Sequence, residues 1–411
     1  MLMTGTIIAQ GIPLLLQPYL RRVYSPEDFG AIAVYLNIFS VITIVSSLRY
    51  EATIVLPKNN NEAANILSLT VIITVIFNFL LLLLILLFKN NLVHLLNFPK
   101  QYSNYLYFLP FSGCVFGIYQ GINNWLIRQK AFKASTANKI VRRGIEGLIQ
   151  SIAGILKFPG GLFIGDLAGN FANGIAGIRQ TFKNNFDLKY ISKRKIGYVL
   201  KKYIDFPKYN VFPGLLSITA SILPFLIINK IYSSEMVGYL DLSRLALSVP
   251  LIFISTSISQ VFFQQTTDKK NNSLSIKKNI LSILYLLLSI IVVEILMILT
   301  FGPELFGFIF GDKYEVSGVF SQILVFSFGL HFISTTFSSV FITFEKIRLN
   351  SAWQIIHFLS ICSLFFFKDL NIEDFLKIYV CIEVCMQLIY GIMIWYIINN
   401  YEKKLDPKIS A

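Results

Sequence analysis

Charged side chains are scarce in this 411-residue chain, 14% against 55% hydrophobic, and several interrupt stretches that are otherwise apolar. Arg49 and Glu51 close one such stretch, and Arg142, Arg143 and Glu146 open another. Asp166 lies inside a third, and Asp241 and Arg244 share a fourth. Glu294 and Glu383 stand in apolar runs with no opposite charge nearby in sequence. A charge near the middle of a membrane helix costs roughly 2.5 to 3.5 kcal/mol on insertion scales, so each must face a partner or an aqueous cavity. The spacing leaves both outcomes open: Arg142 with Glu146 is an i, i+4 pair and Asp241 with Arg244 an i, i+3 pair, either of which could neutralise itself. Arg49, at the end of its run, can also snorkel to phosphates. His331 and His357 read as interhelical hydrogen-bonding groups. Cys114, Cys362, Cys381 and Cys385 fall inside apolar runs without CxxC spacing, so neither disulfides nor a metal site is expected.

The elements that carry these residues are membrane helices. Mean hydropathy is +0.64 and the apolar residues come in runs near twenty, the length that spans a hydrocarbon core. The net charge of +14 does not point to nucleic acid, because the cations sit between apolar runs and not on one soluble face. Anionic membrane lipid is the better partner. Spans are expected near 2–20, 30–50, 63–88, 102–126, 138–156 and 160–180, then near 208–229, 236–262, 279–302, 316–342, 349–367 and 374–399. The fold class is therefore all-α and integral to the membrane, with about twelve helices in two six-helix bundles.

A short turn says the same thing twice. Tyr24-Ser25-Pro26-Glu27-Asp28-Phe29-Gly30 reappears 208 residues later as Tyr232-Ser233-Ser234-Glu235-Met236-Val237-Gly238, and Ser40-Val41 matches Ser248-Val249 at the same offset. Two tandem halves follow, and an even number of spans per half relates them by an axis along the membrane normal. The expected domains are residues 1–180, a basic linker 181–207, residues 208–400 and a tail 401–411.

Loops on the side of the N-terminus carry 26 of the 36 lysines and arginines, and the opposite loops carry 8. By the positive-inside rule both termini are cytoplasmic. In the linker, Ile196, Val199, Leu200 and Tyr203 have helical spacing among lysines; that suits either a helix lying on the anionic inner leaflet or a solvated connection. The first run begins almost at Met1, with no basic lead-in and no cleavage site, which suggests a late start codon or a truncated sequence.

Glycine recurs every fourth residue in two spans, at Gly113, Gly117 and Gly121 and at Gly161, Gly165 and Gly169, where Asn173 and Gly177 extend the row. Such a row lets another helix backbone approach closely, so it is read as packing. Prolines inside spans, among them Pro13, Pro18, Pro110, Pro213, Pro224 and Pro250, allow bends.

Several stretches resemble a known family. Gln17 to Gly30, Leu48-Arg49-Tyr50-Glu51-Ala52-Thr53-Ile54-Val55-Leu56-Pro57 and Asp205-Phe206-Pro207-Lys208-Tyr209-Asn210 are similar to the Wzx-type oligosaccharide repeat-unit flippases of surface polysaccharide synthesis. So are Leu162-Phe163-Ile164-Gly165-Asp166 and Ile258-Ser259-Gln260-Val261-Phe262-Phe263. That branch belongs to the MOP superfamily, which also holds drug/sodium antiporters. The resemblance runs from the first span to the eighth; the last four add only hydrophobic pattern.

The resemblance implies a transporter of the bacterial cytoplasmic membrane and not an enzyme. It would carry a polyprenyl-diphosphate-linked oligosaccharide outward by alternating access, for O-antigen, lipopolysaccharide or capsule assembly, beside other polysaccharide-assembly proteins. A diphosphate needs cations, and arginine pairs with its oxygens through a planar fork. Arg49, Arg142, Arg143 and Arg244 are the candidates. Proton or sodium coupling would need a carboxylate facing the cavity, for which Glu294, Asp166 and Asp241 stand. No cofactor is expected, since no phosphate-binding Gly-x-x-x-x-Gly-Lys-Ser/Thr occurs. Two rivals remain: a multidrug/sodium antiporter, which would favour carboxylates and aromatics, and a membrane glycosyltransferase or polymerase using Glu27-Asp28. The outer loops are short for a catalytic pocket.

Overall fold

A computed structural model describes residues 2–405, with side chains from residue 9 onward. Met1 and residues 406–411, the end of the expected tail, lie outside the described residues. Fourteen α-helices occur among those described: α1 (Leu2–Val23), α2 (Pro26–Ser46), α3 (Asn60–Leu96), α4 (Phe108–Arg128), α5 (Phe132–Ile155), α6 (Gly161–Lys183), α7 (Lys193–Lys202), α8 (Phe212–Ile231), α9 (Ser234–Asn271), α10 (Lys277–Phe310), α11 (Glu315–Phe337), α12 (Ser339–Thr343), α13 (Ile347–Cys362) and α14 (Ile372–Leu405). Leaving aside the short α7 and α12, each helix falls on one of the twelve expected spans.

Among the described residues eight segments are long and apolar enough to cross a membrane by length and composition, and α1, α4, α5 and α6 are not among them. In α4 to α6 the reason is polar content: Gln120, Asn123 and Asn124; Asn138, Lys139, Arg142, Arg143 and Glu146; Asp166, Asn170 and Asn173. By contrast α3 leaves Ile76, Phe79, Leu80, Leu86 and Leu87 exposed, as a lipid-facing surface requires.

The chain divides into two compact units, Met1–Gly238 and Tyr239–Ala411. In the first, the repeated turn caps two helices alike. Ser25 Oγ accepts from Asp28 N at 3.1 Å while Asp28 Oδ2 accepts from Ser25 N at 2.8 Å, a capping box with Pro26 at the first helical position. At the second copy, Ser233 Oγ accepts from Met236 N at 3.2 Å.

Both glycine rows are contact surfaces. A Cβ on Gly113 or Gly117 would overlap or crowd Asn78, Ser46 and Thr74, so α4 lies tightly on α2 and α3. On α6, a Cβ at Gly165 would crowd Gln150 and one at Gly169 would meet Glu146 and the Arg142 carbonyl, which draws α6 against α5. The basic linker folds as α7, and its apolar side is taken up by protein: Val199 is buried in a cluster with Tyr50, Ala63, Ala64 and Leu67, with Ile196 and Tyr203 packed around it. Lys202 Nζ pairs with Glu62 Oε1 at 2.6 Å.

In the second unit a core of Phe262, Leu287, Ile291, Phe332, Phe341 and Ile398 gathers α9, α10, α11, α12 and α14. Ser243 Oγ donates to the Ser317 carbonyl at 2.7 Å, tying α9 to α11. A Cβ on Gly318 would crowd the Gly302 carbonyl, so α10 and α11 also cross at close range.

Candidate functional site

After Ser46 the chain leaves the α2 helix and passes through Leu48 and Arg49 with φ of 50° and 64°, then enters a 3-10 turn, Tyr50–Val55. Left-handed backbone costs on the order of 1 kcal/mol for a residue with a Cβ, and such strain gathers where function holds a side chain in place. The break puts Arg49 at the wall of a cavity of about 500 Å³ in the first unit. Lys139, Arg142 and Arg143 of α5 reach the same cavity, beside Gln120 and Asn123 of α4.

Counter-charges stand close to these cations. Ser47 Oγ donates to Glu51 Oε2 at 2.5 Å, and Arg49 Nη1 lies 4.0 Å from Glu51 Oε1, at the limit of an ion pair. Arg143 Nη1 donates to both oxygens of Glu146, at 3.1 and 2.9 Å. Arg142 Nη2 lies 3.7 Å from Asp166 Oδ1 on α6, and its guanidinium sits 4.8 Å over the Phe116 ring. The expected pairing of Arg142 with Glu146 is thus replaced by Arg143 with Glu146, because α5 turns Arg142 toward α6, where Asp166 waits. Of the three carboxylates only Glu51 lines the cavity; Glu146 and Asp166 support the arginines without lining it.

Open hydrogen-bonding capacity completes the wall. Arg142 Nε, Gln120 Oε1 and both amide atoms of Asn173 are buried without a protein hydrogen bond. Buried polar atoms are rarely left so, and here they suit water or a polar ligand. Asp166 Oδ2 accepts from Asn170 Nδ2 at 3.1 Å.

Three of the four candidate arginines therefore meet in one cavity, with Asp166 behind them. Arg244 and Asp241 lie on α9 and Glu294 on α10, all in the second unit. Glu294 Oε2 is buried without a hydrogen-bond partner. Lys139, Gln120, Asn123 and Asn173 line the cavity as well, beyond the residues expected from sequence. A signal existed: Asp166, Asn170 and Asn173 follow helical spacing, as do Asn138, Arg142 and Glu146.

The signature described as "Polysaccharide biosynthesis protein" matches residues 19–319. The chain belongs to the polysaccharide biosynthesis protein family. A search of curated proteins finds no match. Among solved structures, this polysaccharide biosynthesis protein is similar to the inward-facing conformation of a multidrug resistance MATE family transporter of the MOP superfamily. The TM-score is 0.75 at 12% identity, over 97% of this chain and 99% of that one. An outward-facing conformation of such a transporter gives 0.59 at 13% identity, over 98% and 94%. A mutant of the Vibrio cholerae MATE transporter VcmN gives 0.62 at 14%, over 98% and 94%. At these identities the likeness shows the fold. The polysaccharide biosynthesis protein is a multi-pass membrane protein with a MATE-like fold, helical throughout its regular elements among the described residues.

Proposed function

We propose that the chain is a Wzx-type flippase that carries polyprenyl-diphosphate-linked oligosaccharide repeat units across the bacterial cytoplasmic membrane. It would serve O-antigen, lipopolysaccharide or capsule assembly with both termini in the cytoplasm. The observation that carries this is the convergence of Arg49, Arg142, Arg143 and Lys139 on one polar cavity in a membrane protein of a polysaccharide biosynthesis family. Guanidinium forks bind phosphate oxygens in pairs, and the unpaired Gln120 Oε1 and Asn173 amide offer acceptors and a donor to sugar hydroxyls. With the cytoplasm negative, each negative charge moved outward gains roughly 2.3 kcal/mol per 100 mV, a drive on a diphosphate that needs no nucleotide. Residues 1–180 and 208–400 would form the two bundles that alternate in access, joined by the basic segment 181–207, which would meet anionic lipid.

As coupling-ion ligands, Asp166 is already engaged by Arg142 and Asn170, and Glu294 keeps an unpaired oxygen. Asp241 remains the third candidate. The antiporter alternative fits less well, because an amphipathic cation would meet three arginines at this wall.

The test is export of lipid-linked sugar in cells lacking their own flippase, with membrane levels checked by immunoblot. Arg49→Gln, Arg143→Gln and Arg142→Gln should each abolish export, and Arg49→Lys should restore part of it. Wild-type export in all three charge-removing variants would sink the proposal.

A further inference from the structure

A second polar cluster lies in the other unit, on α11, α13 and α14, and nothing above uses it. His357 Nε2 is 3.0 Å from Glu383 Oε1. Gln387 Nε2 lies 3.5 Å from Glu383 Oε2 and 3.3 Å from His331 Nδ1. The residues form one chain, from His331, which is exposed, through buried Gln387 to the half-buried Glu383 and His357. Trp353 stacks on the His357 ring at 4.9 Å with planes 7° apart. Arg244 of α9 and Tyr379 of α14 are the other ionisable groups in electrostatic contact with the cluster. Glu383 is eleven residues from the start of α14, on the order of 16 Å along the helix and so near the middle of a span.

Hydrogen-bond chemistry fixes how this cluster responds to a proton. The Gln387 amide has two N–H groups, one for the Glu383 carboxylate and one for His331 Nδ1, which must then be an acceptor, so the neutral ring carries its hydrogen on Nε2. An imidazolium accepts nothing. When His331 gains a proton at Nδ1, the amide must turn its oxygen to that N–H, which takes its own N–H away from Glu383. The charge state of His331 is thereby felt at the Glu383–His357 pair 26 residues apart on two other helices. The donor set favours a proton over a metal cation: hard cations such as sodium take oxygens, and this cluster offers one carboxylate among two imidazoles and an amide nitrogen. No three-residue metal-binding group occurs among the described residues.

We propose that Glu383, His357, Gln387 and His331 form a proton-binding site in the second unit, and that transport is coupled to protons through it. The site spans α11, α13 and α14, so taking up or losing a proton rearranges the bonds that hold three helices together. The coupling half of the proposal rests on the transport function above; proton binding does not.

Trp353 supplies the readout, because an indole stacked on an imidazole is quenched when the ring becomes cationic. With the full-length protein in phosphatidylethanolamine/phosphatidylglycerol vesicles, the fluorescence difference between wild type and Trp353→Phe should show a single pH-dependent transition. His357→Gln should abolish it, and Glu383→Gln, which removes the counter-ion, should move it to lower pH. Exchanging choline chloride for sodium chloride should leave it unchanged. No Trp353-dependent transition, one that persists in His357→Gln, or a response to sodium in place of pH would overturn the proton site. Size-exclusion profiles separate these results from misfolding, and His331→Gln, at an exposed position, is a second variant that should alter the transition. Glu383→Gln and His357→Gln should also lose sugar export; wild-type export with the fluorescence changes in place would overturn the coupling. If the wild-type chain itself restores no export while the Trp353 fluorescence still changes with pH, the flippase function fails and the proton site stands.

Discussion

Gly30 and Gly238 meet backbone to backbone, each in the first turns of its own helix. A Cβ on Gly30 would overlap the Ser234 carbonyl, and one on Gly238 would overlap the Pro26 carbonyl. Ser234 and Gly238 are Pro26 and Gly30 shifted by the repeat offset, so the contact is reciprocal. Buried Arg21 closes the same junction: it donates from Nη1 to the Gly238 carbonyl at 3.2 Å and lies 3.6 Å over the Phe29 ring.

Gly30→Ala and Gly238→Ala should therefore each cost about 2 kcal/mol or more, since backbone carbonyls cannot step aside as a side chain can. Gly144→Ala and Gly391→Ala, which meet nothing within 4 Å, are the controls and should be neutral or stabilising by up to about 1 kcal/mol. Thermal unfolding of the purified protein would check this. Equal melting temperatures across the four variants would refute the close contact.

The pair of Arg142 and Asp166 gives a second prediction. Asp166 is buried and Arg142 nearly so, and removing one strands the other, which costs up to about 3 to 5 kcal/mol for a fully buried pair and less at a cavity wall. Asp166→Leu and Arg142→Met should each destabilise on that scale, and the double variant should recover much of the loss. Sugar export should not recover with it, because the double variant still lacks the guanidinium at the cavity wall. Additive losses in a double-mutant cycle would show that the two charges do not act together.

How much of this was legible beforehand can be judged residue by residue. Twelve apolar runs located the long helices because span length is set by the bilayer, and the glycine rows announced their contacts because a missing Cβ has few other uses in a helix. Arg49, Arg142 and Arg143 stood out as charges that need a partner or an aqueous cavity, because lipid makes an isolated charge costly, while snorkelling and local pairing stayed open. Which carboxylate each would meet was not: Arg142 has Glu146 four residues away and finds Asp166 on another helix instead. The apolar side of α7 was equally ambiguous, because helical spacing marks an amphipathic face without saying whether lipid or protein covers it. Glu383 carried no sign of His357, 26 residues earlier, for the same reason.

Alkali offers a test at the turn after α1. Tyr24 OH donates to the Gln150 carbonyl at 2.8 Å, and its phenol is pushed from 10.0 up to about 12, first by burial and then by the charge of Asp28 and by Tyr19. A folded-state value above the unfolded one means the neutral phenol stabilises the fold. Its contribution is whole below about pH 10 and is lost as pH rises through about 12. Wild type should lose stability relative to Tyr24→Phe over that window, with one tyrosinate fewer appearing in the variant by absorbance. Parallel stability curves from pH 9 to 12 would contradict the assignment.

Arg49 separates strain from function most directly. Its φ of 64° suits glycine or asparagine better than arginine, so Arg49→Gly and Arg49→Asn relieve a backbone cost on the order of 1 kcal/mol. They give up only a weak pair with Glu51 at 4.0 Å. Both variants should unfold at or slightly above the wild-type temperature and yet lose export of the lipid-linked sugar. Arg49→Ala keeps the strain without the guanidinium, so it should be no more stable than wild type and equally inactive. Stability gained and export kept in Arg49→Asn would mean that the strained turn holds its arginine for some purpose other than transport.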